Sequence, residues 1–134
     1  MATSAPTVQR NATRVNESTR EAQPHYDIVL FDDTAVAASE NGGWLDVGVG
    51  ANLVLTLTMA AESGTAIYDV TMQTSPNSDG TEIRTLGTFT QITANGSERK
   101  SFACADRYVR ASVVYSSTGN ASVNVSGISI RQGS

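Results

Sequence analysis

IYDVTMQTSPNSDGTEIRTLGTFTQITANGSERKSFACADRYVRASVVYSSTGNASVNVSGISI, residues 67–130, reads as one β-strand after another with turn-forming clusters between them. In RYVRASVVY, Val109, Ala111 and Val113 alternate with Tyr108, Arg110, Ser112 and Val114, so Arg110 is expected to point away from the valines. Upstream, LVLTLTM at 53–59 places Leu53, Leu55, Leu57 and Met59 on one face and Val54, Thr56 and Thr58 on the other. The leucine face is the expected core. In the last strand Val123 and Val125 are odd, whereas Ile128 and Ile130 are even, and a β-bulge near Gly127 is the expected reconciliation.

The same pattern predicts strands at 27–31, 35–38, 44–47, 53–59, 66–73, 86–92, 99–103, 108–115 and 122–130. Turn signals punctuate them: ENGG at 40–43, ESGT at 62–65, SPNSDG at 75–80, ANGS at 94–97 and STGN at 117–120. Their spacing is that of an antiparallel all-β domain, so the expected fold is a β-sandwich over residues 26–134. No internal repeat or heptad pattern competes with that reading.

At 134 residues the chain is expected to form one domain with one core. With four Tyr, three Phe and one Trp, burial has to come from Val, Ile, Leu and Ala, as in a thin sandwich. The formal net charge of −4 argues against general nucleic-acid binding, which needs concentrated Lys and Arg to neutralise phosphate. Cys104 is the single cysteine, so no disulfide within the chain can staple the fold and no cysteine-rich metal site can form. MATSAPTVQRNATR lacks the apolar run of a signal peptide, and no run of 18 apolar residues suggests a membrane-spanning helix. A protein made in a cytoplasm, without membrane contact, is expected.

Residues 1–25 differ in composition from the rest. They are rich in Thr, Ser, Asn, Arg, Gln and Ala, with Val8 and Val15 their only branched apolar residues, too little burial to offset the entropy of ordering. They carry a net charge of +1, which leaves −5 for the remainder. The expectation is an extended N-terminal arm, disordered when free and ordering on a partner, with a short helix across 13–23 as one form it could take.

Candidate chemistry is thin. His25, the only histidine, stands beside Pro24 at the arm–domain junction, a poor place for a preorganised base. Asp32, Asp33, Asp46, Asp69 and Glu82 supply carboxylates, but most fall in turns or on solvent faces, without the aromatic platforms of a sugar-cleaving cleft. NSDGTE at 77–82 faintly resembles a calcium loop, yet a tight turn accounts for the same residues. N-x-S/T triplets such as those at Asn11, Asn16, Asn95 and Asn120 are expected by chance in a chain rich in these residues. Cys104 reads as a small apolar filler. Trp44, in NGGWLDVG, reads as a core or subunit contact, with ligand stacking as the alternative. Neither an enzyme nor a bound cofactor or metal is expected.

YDVTMQTSPNSDGTEIRTLGTFTQI followed by RKSFACADRYVRASVVYSSTGNASVNVSGISI resembles a pattern in small bacteriophage virion proteins: a strand ending in Q-T-S-P, a Gly-rich turn, a strand of the form L-G-x-F, and R-Y-V-R leading into a terminal hairpin. The resemblance spans residues 68–130. It implies a jelly-roll-like β-sandwich acting as a capsid decoration, or cement, protein, usually a homotrimer on the major capsid protein in the virion, or as another accessory head or tail component. Gln73, Ser75, Pro76, Gly87, Phe89, Arg107, Tyr108 and Arg110 would then maintain the fold. On this reading the partner-binding residues are Val8, Arg10, Arg14 and Arg20 of the arm, with Tyr26 and Trp44 near the junction. The layout also resembles discoidin-like carbohydrate-binding modules, which implies recognition of a surface glycan on Trp44 or Tyr115.

Overall fold

The computed structural model describes residues 7–10, 14–15, 22–23 and 25–130. Every element among them is a strand: β1 (Thr7–Arg10), β2 (Arg14–Val15), β3 (Ala22–Gln23), β4 (His25–Val36), β5 (Glu40–Asn41), β6 (Leu45–Asp46), β7 (Ala51–Ser63), β8 (Ala66–Ser75), β9 (Arg84–Thr88), β10 (Gly96–Cys104), β11 (Tyr108–Ser117) and β12 (Asn120–Ile130). The short helix considered for 13–23 falls partly outside the described residues; within it, β2 and β3 pair as Arg14↔Gln23 and Val15↔Ala22.

The other pairings are likewise antiparallel and build two sheets. One has the order β1-β4-β12-β7-β10; the other has β5-β11-β8-β9, with β6 pairing along β11 beyond β5. Partners consecutive in the chain therefore occupy matching places in the two sheets: β4 with β5 and β6, β12 with β11, β7 with β8, β10 with β9. This is the strand order of a jelly roll, and the expected sandwich is the observed one.

The core lies between the sheets. Leu53, Leu55, Leu57 and Met59 of β7 are buried, as are Val70 and Met72 of β8 and Val109, Ala111 and Val113 of β11, so the period of two selects the inner face as expected. Each of these Leu, Met and Val side chains contributes roughly 1.5–3 kcal/mol by leaving water. Phe89 and Phe102 meet edge to face at 5.6 Å between centroids and close the β9–β10 side, where Gly87 leaves room for the Phe102 ring. Tyr68 is buried and its hydroxyl donates to the Val36 carbonyl at 2.6 Å, so the one polar atom of that ring is satisfied.

The last strand departs from expectation. Its inner phase does not switch: Ala121, Val123, Val125 and Ser129 are all buried, while Ile128 and Ile130 remain on the other face. The extra residue lies on β4 instead. Val125 pairs with Phe31 and the next residue, Ser126, pairs with Val29, which leaves Leu30 unmatched. Leu30 and Phe31 are consequently both buried. Gly127 serves a different purpose: a Cβ there would lie 1.9 Å from the Val54 carbonyl oxygen, so its small size permits close approach to β7.

Two further irregularities flank Ala121, between Val36 and Asp33 on β4 and between Ser63 and Ala60 on β7. Ala35 and Ala61 take positive φ of 51° and 54° there. Of the separate strand expected at 35–38, Ala35 and Val36 are the bulged end of β4, and the next two residues are not in a strand. The strand expected at 86–92 is shorter, because β9 ends at Thr88 and the chain continues through a Phe89 amide bond to the Val70 carbonyl and an isolated Tyr68↔Ile92 bridge.

Candidate docking surface

One end of the sandwich holds several of the residues singled out from sequence. At this end β4, β6 and β11 present His25, Asp46 and Tyr108, because His25 pairs with Ile130, Ile130 with Asn52, and Tyr108 with both Asp46 and Ser75. The β6–β7, β8–β9 and β10–β11 connections all close here.

β1 lies along β4 with Val8 opposite Ile28 and Arg10 opposite Tyr26. The chain leaves this end at Arg10 and returns at His25, with Arg14 in the β2–β3 hairpin between. Arg20 lies outside the described residues. Tyr26 is half-buried and packs against the core. On the neighbouring edge, Gly42 binds β11 through its amide to the Ala111 carbonyl, at 2.8 Å, and its missing Cβ leaves space for the Leu30 carbonyl of β4. That close approach brings the β4 edge and the β5–β6 edge together. Arg10, Tyr26 and Trp44 thus share one edge and one end; Val8 sits two rungs further along.

Trp44 is neither core nor free platform. The Arg110 guanidinium carbon stands 4.6 Å from its ring centroid, within cation–π range. Arg110 Nε donates to Gln73 Oε1 at 2.8 Å across the β11–β8 pair, which fixes the guanidinium over the indole. Gly80, at φ +76°, closes the β8–β9 turn against the indole; a Cβ at that position would fall 2.2 Å from Trp44 Nε1.

That turn uses up the residues that resembled a calcium loop. Ser75 Oγ accepts from the Asn77 amide, Asp79 Oδ1 from the Thr81 amide, and the Gly80 amide donates to the Asn77 carbonyl. Asn77 Nδ2 donates to Thr81 Oγ1 at 2.7 Å.

Two other arginines at this end are charge-paired. Arg107 donates through Nη2 and Nε to Asp46 Oδ2 at 2.7 and 3.0 Å, and Arg84 pairs with Asp106 Oδ1 at 3.2 Å, where Thr74 Oγ1 also donates to Oδ2. Among the described residues Arg110 has a neutral amide partner rather than a carboxylate. Val49 and Ile83, 77% and 46% exposed, stand in the connections at this end; they are two of the three large apolar side chains exposed among the described residues. Aromatic, arginine and exposed apolar groups together have the composition of a protein-binding surface.

The carboxylates weighed for catalysis are dispersed. Asp32 and Asp33 point to opposite faces of β4, one exposed and one buried, and Asp69 accepts both oxygens' bonds from Gln91 Nε2 on the outer face of β8. Cys104 is buried at the end of β10, its thiol donating to the Asp106 carbonyl. Burial, then the nearby Asp106 charge, pushes this thiol from 9.0 up to about 11. Because the folded value is the higher one, its share of stability is complete below pH 9.0 and is lost as pH rises toward about 11. A thiol-selective reagent at pH 8 is expected to leave the native protein unlabelled and to label it fully in urea; rapid native labelling would contradict this burial.

Of the residues singled out from sequence as partner-binding, Arg10, Tyr26 and Trp44 lie toward this end, together with Arg110, Gln73, Val49 and Ile83, which were not singled out for that role. The outward phase of Arg110 was readable; its meeting with Trp44 depends on β6 pairing with β11, which no local pattern encodes. No protein-family model and no curated protein matches the chain.

Proposed function

We propose that this protein is a structural virion component that docks on an assembled phage head as a decoration protein, clamping neighbouring major capsid subunits as a homotrimer. The observation that carries this reading is the pairing of β1 with β4 toward the same end of a jelly roll at which Trp44 and Arg110 are held together, which suits a docking role for that end. The resemblance across residues 68–130 supports it. So does the dispersal of the carboxylates weighed for catalysis, which suits adhesion better than turnover.

Trimerisation would supply the affinity. Three modest footprints in one particle-bound unit make the second and third contacts intramolecular, raising avidity by about 10²–10⁴-fold over a single contact. Arm residues that order on the shell add buried area only where a shell exists.

Light scattering should give three times the 14.1 kDa chain mass. Removing residues 1–25 is expected to leave a cooperatively folding domain with a lowered Tm, since β1 is lost from the β4 edge, and with head binding weakened by about 10²-fold. A monomer, or undiminished binding by the truncated chain, would refute the trimer or the arm's part respectively.

A further inference from the structure

We infer that Arg110, held over Trp44 by Gln73, is a receptor for a carboxylate side chain on an acidic, partly apolar peptide segment of the partner. This deepens the reading of this end as a docking surface and rests on it. The guanidinium is preorganised: its Nε is committed to Gln73 Oε1, and its carbon stands 4.6 Å from the indole centroid, so the two Nη groups are left to bind a bidentate acceptor. Charge complementarity selects the occupant. Arg84 and Arg107, at the same end, are already neutralised by Asp106 and Asp46, whereas Arg110 has only an uncharged partner among the described residues.

The exposed apolar side chains in the connections of this end favour a peptide over an acidic sugar. Val49 and Ile83 flank this end with exposed branched side chains, which match Leu or Val neighbours of a Glu better than the hydroxyls of a uronate.

The chain's single tryptophan makes the test direct, because all indole emission comes from Trp44. Three probes would be titrated into the full chain, followed by fluorescence and by amide NMR shifts: a capped peptide with a central Glu between leucines, its Gln counterpart, and an oligouronate. The expected result is saturable binding of the Glu peptide that weakens with added salt and shifts the resonances of Arg110, Gln73 and Trp44. Arg110→Gln should weaken it about tenfold or more, while Arg110→Lys retains part of it. Equal binding of the Gln peptide, unchanged binding by Arg110→Gln, preference for the oligouronate, or no binding at millimolar peptide would each overturn the inference. Head binding is read separately: peptide capture without decoration would leave the carboxylate receptor standing and remove the virion reading.

Discussion

Replacing Phe31 by alanine is expected to cost about 3–5 kcal/mol, the range for deleting a buried aromatic ring. Phe31 has no exposed surface, and it shares the inner face with Leu30 because the β4 bulge turns two consecutive residues inward. The sandwich cannot readily collapse onto the space, since β12 pairs with β4 at Phe31 itself and the Gly42 backbone sits against the neighbouring Leu30 carbonyl. Against a typical domain stability of roughly 5–15 kcal/mol, such a loss is decisive. Urea denaturation with unchanged m-value measures it; a loss below about 1 kcal/mol would mean that the ring is not packed as described.

Gly127→Val should be nearly as damaging, for the opposite reason. The Cβ alone would stand 1.9 Å from the Val54 carbonyl oxygen and 2.9 Å from its carbon. β12 is the middle strand of its sheet, bonded to β4 and β7 on either side, so neither neighbour can withdraw without breaking a ladder. A cost near the upper end of overpacking, about 3 kcal/mol, is expected for alanine and more for valine. Thermal unfolding of the alanine and valine variants checks it, and a Tm within a degree or two of the parent would show that the two backbones are not in contact.

These two positions also mark how far the sequence could be read. Alternation in β7, β8 and β11 was legible because a period of two has one physical outcome when a single face is buried. The break in alternation at the end of β12 was visible too, but the remedy was assigned to the wrong strand. Gly127 drew attention as the place of a bulge, whereas its role is steric and depends on the β7 carbonyl opposite. The extra residue at Leu30 left no local signature, since LF reads equally as the end of a strand.

The candidate surface follows the same division. Tyr26 and Trp44 stood out by residue type, and the arm stood out by composition. Arg110 was correctly placed on the outer face of β11. Its partners Gln73 and Trp44, and Gly80 against the indole, come from three other segments, 30 to 66 positions away, and only the rolled strand order brings them into one cluster. Long-range register of that kind is set by the summed core, not by any window of sequence.

Imaging of particles assembled with and without this protein tests the docking claim most directly. The expected result is ordered trimeric density on the shell, oriented so that the Trp44–Arg110 end and the N-terminal strand face the capsid, and absent when residues 1–25 are removed. Shells identical in both preparations, or density meeting the shell through the opposite end of the sandwich, would contradict it.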